Sequence, residues 1–217
     1  MFRTIPIPTN DWLKILKKTS IPFEIIILKN GDSILLRNSN LIFINLKGIL
    51  SIAKHYITKQ SVIVSLNRSN TVLHYKTNDT ICYYKLQALT SVHILILSKS
   101  HILNNLSVSN YFNEIELYSL NLELINFEYW ITIFTQNTIK KRLVVFLLIL
   151  AQQFGKPSRV GIIINVCVSH KYLAQLLCTT RITITRCFNQ LKNDLVFSNK
   201  KITLFDPITL ASIVLRE

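Results

Sequence analysis

The sequence is poor in glycine and has no long apolar run. Only 4 of its 217 residues are glycine, and neither a GxGxxG nor a P-loop pattern occurs, so the sequence offers little support for an enzyme that binds nucleotide phosphates. The longest apolar run, residues 143–151, is much shorter than the ~20 residues that span a bilayer. The N-terminus lacks the apolar core of a signal peptide. We therefore expect a soluble protein with no membrane partner.

Cysteine is scarce as well. The four cysteines include no CxxC pair and have no metal-ligand spacing with the five histidines, so we predict neither a metal site nor a cofactor. We expect free thiols in a reducing compartment. A barrel enzyme of the cupin type would need a cluster of His and Glu, and His55, His74, His93 and His101 lack that spacing. The protein is therefore predicted not to be an enzyme.

Acidic residues are few, and the resulting positive charge is uneven. The formal net charge is +14, with a pI near 9.8, which favours a polyanionic partner. Residues 139–217 contain 12 Lys and Arg against 3 Asp and Glu, a net of +9, whereas residues 1–138 contain 13 against 8, a net of +5. The C-terminal third is thus the better candidate for binding nucleic acid. A lysine bias from an A/T-rich genome is the alternative explanation, since Ile, Asn and Lys are all abundant.

Residues 23–98 have the pattern of about eight short β-strands. Turn signals at residues 30–32 and 47–48 separate apolar, β-branched runs. Such closely spaced strands are typical of a sandwich or jelly-roll barrel. The predicted strands are 23–28, 33–36, 41–46, 49–56, 60–66, 72–75, 81–86 and 91–97.

A long helix is predicted over residues 108–137. It contains four glutamates and no Lys or Arg, so we do not expect it to bind DNA. Apolar residues recur at steps of four and three, as in a coiled-coil seam, and we predict that this seam forms a homodimer interface. The alternative is a helix that packs on its own barrel. The predicted seam is Tyr111, Ile115, Tyr118, Leu122, Ile125 and Tyr129.

Residues 168–191 have the pattern of two short helices joined by a tight turn. Ser169 can cap the first helix, and Thr179 or Thr180 the second. In the second helix an apolar face lies opposite an outward face formed by Arg181, Ile182, Thr185 and Arg186. Arginine can bridge guanine O6 and N7 in a major groove, so this spacing favours a helix-turn-helix. The alternative is an ordinary helical hairpin with a solvated basic face.

Two segments flank these helices. A capped helix is predicted over residues 139–154, with Gly155 and Pro157 as its stop signal. After the second short helix, residues 196–205 have the pattern of a hairpin whose tip carries Lys200 and Lys201. A hairpin in this place makes a winged helix, and the two lysines are then candidates for contact with the phosphate backbone.

Several segments resemble the cyclic-AMP receptor/FNR (CRP/FNR) family of bacterial transcription regulators. Residues 23–32 (FEIIILKNGD) and 41–52 (LIFINLKGILSI) resemble its first barrel strands. Residues 141–155 (KRLVVFLLILAQQFG), 169–186 (SHKYLAQLLCTTRITITR) and 200–210 (KKITLFDPITL) resemble the nitrogen-control, NtcA-like branch. Taken together with the composition, these segments resemble the NtcA-like regulators encoded in red-algal plastid genomes.

The resemblance implies an α+β fold of three parts. A cyclic-nucleotide-binding-like β jelly-roll barrel is expected in residues 1–107, a dimerisation helix in 108–138, and a winged helix-turn-helix that binds double-stranded DNA in 139–217. The implied function is that of a homodimeric regulator on a palindromic promoter site, concerned with nitrogen-related control of plastid genes. The implied partner is RNA polymerase. The implied location is the plastid stroma, with a bacterial cytoplasm as the alternative.

The resemblance also implies roles for single residues. Arg181 is the first candidate for a guanine contact and Arg186 the second, while Ile182 stands at the aliphatic position of the nitrogen branch. The family usually has glycine in the turn, where this chain has Cys178, and we expect a buried, unreactive thiol there. The candidates for phosphate contacts at the helix N-termini are Ser169, His170, Thr179, Thr180 and Thr183.

The sensor half differs from the family pattern. In the nitrogen branch, 2-oxoglutarate is held by barrel-loop residues, a barrel arginine and charged residues of the long helix. Here Cys82 and Glu123 stand at the two arginine positions and only Glu128 matches, while the loop positions hold Val72 and Leu73. A desolvated dicarboxylate needs cationic or N–H partners, so we do not expect 2-oxoglutarate to bind as it does in the family. Lys76 and Lys85 are candidate replacements for the missing cations.

Two other functions remain open on the sequence. One is a small-molecule sensor of the 2-oxoglutarate type whose DNA-binding half has weakened, although the intact arginines and wing lysines argue against it. The other is RNA binding, although no predicted strand carries an aromatic platform on which bases could stack.

Overall fold

Two antiparallel four-stranded sheets form the N-terminal part of the protein. The structure, a computed structural model, describes residues 12–36, 40–58, 60–73, 81–166, 168–197 and 201–215. The eight predicted strands are present within a few residues of their expected ends, and Tyr75 lies outside the described residues. They are β1 (Glu24–Leu28), β2 (Ser33–Leu36), β3 (Leu41–Lys47), β4 (Leu50–Tyr56), β5 (Ser61–Asn67), β6 (Thr71–Leu73), β7 (Cys82–Ala88) and β8 (Val92–Ser98).

The strand order is that of a double-sheet barrel. One sheet has the order β1-β8-β3-β6 and the other β2-β7-β4-β5, with every pair antiparallel. Apolar residues that alternate along the strands meet between the sheets, where Leu50, Ile52 and Leu86 are fully buried. Gly48, with φ near +92°, makes the turn before β4. A Cβ there would lie 2.3 Å from the carbonyl oxygen of Ser91, so only glycine fits.

Three helices cover the other side of the first sheet. They are α1 (Trp12–Thr19), α2 (Lys99–Leu103) and the beginning of α3 (Leu106–Phe134). Trp12 of α1 and Ile115 of α3 are fully buried in a second core cluster with Ile44 of β3. The rings of Trp12 and Tyr111 meet edge to face with their centroids 4.8 Å apart. Helix α3 is therefore attached to the barrel through its first half.

The remaining elements build a small α/β unit. They are α4 (Ile139–Phe154), β9 (Gly155–Ser158), β10 (Gly161–Ile164), α5 (His170–Leu176), α6 (Arg181–Gln190), β11 (Leu195–Phe197), β12 (Ile202–Leu204) and α7 (Pro207–Leu215). The hydroxyl of Thr138 accepts the backbone N–H of Lys141 and so caps α4, as predicted. The predicted stop signal after α4 forms strand β9, at the edge of a sheet ordered β11-β12-β10-β9. Pro157 is tolerated on that edge strand.

The chain divides into two units, residues 1–125 and 126–217. The division falls inside α3, whereas the sequence suggested a separate dimerisation segment at residues 108–138. The three-part division stays a prediction. Among the helices in the described part of the chain, none has the length and apolarity needed to cross a membrane.

Candidate nucleic-acid interface

Helix α5 begins and ends with well-defined caps. The Ser169 hydroxyl accepts the backbone N–H of Tyr172 at 3.1 Å, as the sequence predicted. After the helix, the N–H of Thr179 reaches back to the carbonyl of Ala174 at 2.8 Å, and Cys178 in the turn has φ +53°. This is the left-handed C-terminal cap that glycine usually forms. The expectation of a buried thiol was wrong, because in this conformation the Cys178 side chain points outward and is exposed.

Thr180 caps the second helix, α6. Its hydroxyl accepts the backbone N–H of Thr183 at 3.2 Å, and the two threonine hydroxyls lie 2.9 Å apart. Thr180 is therefore the capping residue, and Thr179 belongs to the turn. The inner face of α6 is buried as its spacing predicted. That inner face consists of Ile184, Cys187, Phe188 and, at the end of the helix, Leu191.

The outer face of α6 presents the predicted recognition residues to solvent. Arg181, Ile182 and Arg186 are all exposed, and Ile182 keeps 65% of its surface accessible. Thr185 is only partly exposed, and its hydroxyl donates to the carbonyl of Arg181 at 3.0 Å. The face thus offers two guanidinium groups and one aliphatic side chain, with Thr185 engaged within the protein.

His170 is not placed as a phosphate ligand through its side chain. Its Nδ1 lies 2.9 Å from the Thr185 hydroxyl, and its Nε2 is buried with no hydrogen-bond partner. The imidazole stacks on Phe188 with centroids 5.0 Å apart, and it also meets Phe197 at 4.7 Å. Burial, and secondarily the Arg181 guanidinium, lower the pKa of His170. Both ring nitrogens are turned into the protein, so the phosphate contact predicted for His170 at the N-terminus of α5 stays a prediction for its backbone and not for its imidazole.

Strands β11 and β12 form the predicted wing. Leu195 pairs with Leu204, and Phe197 with Ile202, so the two strands are antiparallel. Lys201 is exposed at the start of β12. Lys200 lies outside the described residues. The aromatic contact of Phe197 with Phe188, at 4.5 Å, joins the wing to α6.

The long helix does not present the predicted seam. Ile115 is fully buried and Tyr118 is 6% exposed, while Tyr111 packs against the same barrel core. The Tyr118 hydroxyl accepts a 2.9 Å hydrogen bond from the Arg68 guanidinium. The prediction of a dimer interface was therefore wrong for these three residues, because the barrel already covers that face. The other three predicted seam residues, Leu122, Ile125 and Tyr129, are half-buried.

A different face of α3 is apolar and exposed. Six large side chains on it recur at steps of three and four, which is the spacing of a coiled-coil seam. Sequence periodicity missed this face because α3 carries apolar residues on two sides, and only burial separates them. We call this face the apolar stripe, and it consists of Leu117 (64% exposed), Leu120 (42%), Leu124 (61%), Phe127 (50%), Ile131 (65%) and Phe134 (39%).

The residues suggested for effector binding are dispersed. Val72 and Leu73 are buried in β6, and the Val72 amide N–H already donates to the Ser119 hydroxyl at 2.8 Å. Glu128 is exposed on α3. Lys76 lies outside the described residues. In the described part of the chain, no group of three or more His, Cys, Asp or Glu side chains could hold a metal ion.

These elements define a class of fold. A double-sheet barrel, a long helix, and a winged unit with an exposed arginine-bearing helix make up a CRP/FNR-like fold. Residues 141–213 match the Crp-like helix-turn-helix domain family. This match begins within α4 and ends within α7, and it includes α5, α6 and the wing.

Comparison with known proteins places the chain more closely. It is 27% identical over 205 residues to the HTH-type transcriptional regulator ycf28 of Porphyra purpurea, covering 93% of this chain and 86% of that protein. It is 29% identical over 176 residues to the global nitrogen regulator of Nostoc sp., covering 78% of this chain and 79% of that protein. Residues 141–213 of the protein thus form a Crp-like helix-turn-helix domain, and the chain is homologous to ycf28 and to the global nitrogen regulators. These relatives are regulators and not enzymes, which confirms that prediction.

Solved structures show the same fold. A CooA mutant from Carboxydothermus hydrogenoformans superimposes with a TM-score of 0.71 at 17% identity, covering 99% of this chain and 98% of that one. TTHA1359, a CRP/FNR-family transcriptional regulator from Thermus thermophilus, gives 0.66 at 16% identity, covering 89% and 99%. The predicted fold class, with a β-barrel, a long helix and a C-terminal helix-turn-helix, is confirmed.

Proposed function

We propose that the protein is a homodimeric, sequence-specific DNA-binding regulator in which each copy reads one half of a palindromic promoter site. The observation that carries the proposal is the outer face of α6. Arg181, Ile182 and Arg186 project from a helix whose start is capped by Thr180 and whose inner face is buried. A rigid helix with exposed side chains of this chemistry is what major-groove reading requires.

Each exposed side chain has a distinct role in the proposed complex. Arg181 lies in the first turn of α6 and is the first candidate for a bidentate contact with guanine O6 and N7. Arg186 is the second candidate, and Ile182 is suited to a thymine methyl group. Thr185 supports Arg181 through its hydrogen bond to the Arg181 carbonyl and is not itself assigned a base.

Phosphate contacts come from helix N-termini and from the wing. The first backbone N–H groups of a helix have no acceptor within the helix, and the caps of α5 and α6 satisfy only some of them. The remaining groups favour an anion. Ser169, Thr180 and Thr183 lie at these two ends, and Thr179 lies in the turn before α6. Lys201 extends the positive surface onto the wing. These contacts fix the position of the protein on the duplex without specifying sequence.

A second copy of the chain is the proposed occupant of the apolar stripe. The stripe has the three-and-four spacing of a two-stranded coiled coil, so two identical helices can interdigitate along it in parallel. It exposes six large apolar side chains in a row, which is costly in water unless they are covered. A two-fold pair of this kind matches the two-fold symmetry of a palindromic site.

The regulated process is proposed from the relatives. The curated relatives include global nitrogen regulators of cyanobacteria and the Porphyra regulator ycf28. We propose nitrogen-related control of plastid genes, with the plastid stroma as the location. RNA polymerase is the proposed partner at the promoter, since a promoter-bound regulator changes transcription through the polymerase.

Sensing of a small anion of the 2-oxoglutarate type is a second candidate function, and one observation favours it. The Lys54 ammonium lies over the rings of Tyr56 and Tyr84, 5.2 and 5.8 Å from their centroids. The pKa of Lys54 is raised, and the largest cause is its electrostatic interaction with Tyr84. Lys54 pairs with Tyr84 across β4 and β7, and Tyr84 packs on the barrel core, so Lys54 lies on the inner side of its sheet. This places a cation beside Cys82, the position where the nitrogen branch has its barrel arginine. Sequence reasoning suggested Lys76 and Lys85 instead.

Fluorescence anisotropy tests both functions. A labelled palindromic promoter duplex and a scrambled duplex are titrated with the full chain over a series of salt concentrations, with and without 2-oxoglutarate. Tighter binding to the palindrome at every salt concentration supports the DNA-reading proposal. Equal affinity for the two duplexes, with only a salt slope, would leave non-specific phosphate binding and refute it. A change in affinity caused by 2-oxoglutarate and abolished by Lys54→Ala would establish the sensor function.

A further inference from the structure

The imidazole of His170 lies where three elements of the DNA-binding unit meet. His170 is the first residue of α5, and its Nδ1 lies 2.9 Å from the hydroxyl of Thr185 on α6. Its ring stacks on Phe188 of α6 with an angle of 5° between the two planes, and it also contacts Phe197 of β11. The rings of Phe188 and Phe197 contact each other as well. A single side chain thus joins the first helix, the base-reading helix and the wing.

The surroundings of this ring do not accept a proton on Nε2. That nitrogen is buried and has no hydrogen-bond partner, so a proton there would be a buried donor and a buried charge without an acceptor. The three elements that meet at the ring, all within the described part of the chain, contain no Asp or Glu that could pair with the charge. Besides His170, their ionisable side chains are Lys171, Tyr172, Arg181, Arg186 and Cys187.

The charge balance around His170 therefore favours the neutral imidazole. Burial and, after it, the Arg181 guanidinium lower the pKa of His170. A protonated ring has to turn towards water to solvate its second N–H. That movement breaks the hydrogen bond with Thr185 and the stack on Phe188 and Phe197.

Thr185 connects His170 to the outer face of α6. Its hydroxyl donates to the carbonyl of Arg181 at 3.0 Å, so it accepts the Nδ1 hydrogen of His170. In the proposed complex α6 reads bases while the start of α5 and the wing contact phosphates. Both kinds of contact form together only if the three elements keep fixed relative positions. Non-specific binding depends on phosphate contacts and does not need this arrangement.

We infer that His170 is a positioning residue for sequence reading, which in its neutral form fixes α6 between α5 and the wing and on protonation releases it, so that the preference for the specific site is lost in acid. This inference rests on the proposed DNA reading. A histidine exposed at a DNA surface acts in the opposite direction, since phosphates favour its charged form and acid then strengthens binding. A loss of sequence preference while affinity for non-specific DNA is retained is therefore the property that identifies this role.

The ratio of two affinities, for the palindromic and for the scrambled duplex, measures the preference. Fluorescence anisotropy of the full chain gives this ratio at about pH 7.5 and at about pH 5.0, on either side of the ordinary pKa of histidine. For wild type we expect the ratio to fall roughly fivefold at the lower pH, because part of the protein then carries a protonated His170. Circular dichroism checks that each protein is folded at both pH values.

His170→Asn is the conservative variant. Its amide keeps an N–H donor near the position of Nδ1 and does not titrate, so its ratio should be the same at both pH values. His55→Phe is the matched control, since it removes another histidine whose pKa is lowered by burial, from a strand of the barrel, and it should lose its preference in acid as wild type does.

Thr185→Val tests the connection without any titration. It keeps a similar shape and removes the hydroxyl that joins His170 to α6, so the ratio should already be roughly fivefold lower than that of wild type at the higher pH. Affinity for the scrambled duplex should be unchanged, because phosphate contacts do not depend on this hydroxyl.

The inference is supported if wild type and His55→Phe lose their preference in acid and His170→Asn keeps it. It is overturned if wild type has the same ratio at both pH values, or if His170→Asn loses as much as wild type. It is also overturned if Thr185→Val prefers the palindrome as strongly as wild type. A wild type without any preference at the higher pH would instead refute the proposed DNA reading, so the two failures are distinguished.

Discussion

The imidazole of His170 and the hydroxyl of Thr185 lie 2.9 Å apart and connect the two helices of the helix-turn-helix. Thr185 donates its hydroxyl hydrogen to the carbonyl of Arg181, so it accepts the Nδ1–H of His170. The neutral imidazole then has an unprotonated Nε2, which is buried beside Phe188 and Phe197. His170 thus positions the recognition helix in its neutral form.

The stability of the DNA-binding unit should fall below about pH 6.5 because of His170. Its pKa is lower in the folded chain than in the unfolded chain, so the folded state binds fewer protons. Above the unfolded-state pKa of about 6.5, His170 makes its full contribution to stability. As the pH falls from there towards the lower pKa of the folded state, that contribution is lost. Urea unfolding at about pH 5.5 and about pH 7.5 measures this loss.

His170→Phe is the control for this pH dependence, because it keeps a stacking ring and removes the titrating group. The pKa of His55 is also lowered by burial, so His55 gives both proteins some pH dependence of stability. The difference in stability between wild type and variant therefore isolates the contribution of His170. An identical loss of stability at low pH in the two proteins would contradict the assignment.

Arg181→Ala should weaken specific DNA binding by about 1–3 kcal/mol and relax the preference at one base position. The reason is the loss of a bidentate contact with guanine, which no neighbouring side chain replaces. Anisotropy on the palindrome and on single-base variants measures both effects. Lys29→Ala, which removes the same charge from an exposed turn of the barrel, should leave the preference unchanged. If Arg181→Ala preserves the full preference for the palindrome, Arg181 does not read a base.

Replacing Leu124 and Ile131 with lysine should convert the proposed dimer into folded monomers. Both side chains are more than 60% exposed on the apolar stripe, so their replacement disturbs a partner and not the core. Light scattering gives the mass, and circular dichroism checks the fold. Ile208→Lys, at an 83% exposed position on α7, is the control and should remain dimeric. A dimer that survives the double substitution would place the interface elsewhere.

The buried face of α3 should behave differently from the stripe. Ile115 is fully buried against the barrel, so Ile115→Lys should destabilise the N-terminal unit by several kcal/mol rather than yield a stable monomer. Thermal unfolding of Ile115→Lys and of Leu124→Lys compares the two losses of stability. Equal and small effects of the two lysines would mean that α3 does not pack on the barrel through Ile115.

Cys178→Gly should stabilise the protein by about 1 kcal/mol. Cys178 has φ +53°, a conformation that costs an L-residue about 1–2 kcal/mol and glycine almost nothing. Urea or thermal unfolding of the variant measures the gain. Cys178→Ala is the matched control, since it removes the thiol and keeps the Cβ, and it should show no comparable gain. If both variants are equally stabilised, the thiol and not the backbone conformation is responsible.

Local signals in the sequence predicted most of the secondary structure. The apolar runs and turn residues of the barrel located its eight strands. Thr138 and Ser169 located the starts of two helices, and the pair Thr179 and Thr180 located the start of a third without deciding between them, because capping depends only on residues three apart. Strand β9 was missed, since Gly155 and Pro157 signal only the end of a helix and not the pairing of the following residues with β10.

The candidate interface was predicted in part, because only some of its features depend on local sequence. Helical periodicity placed Arg181, Ile182 and Arg186 on one face, and all three are exposed. Periodicity could not tell that the His170 imidazole turns inward, because its partners Thr185, Phe188 and Phe197 come from other elements of the unit.

Residue type and spacing along the chain determined the elements, their caps and the outward face of the recognition helix, because each of these depends on neighbours within a few positions. Tertiary structure alone decided which side of α3 is covered. The helix carries apolar residues on two faces with the same three-and-four spacing, and their hydrophobicity is nearly equal. The packing of Ile115 and Tyr118 on the barrel covers one face of α3 while Leu124 stays exposed on another, since burial is a property of contacts between distant segments and not of a sequence pattern.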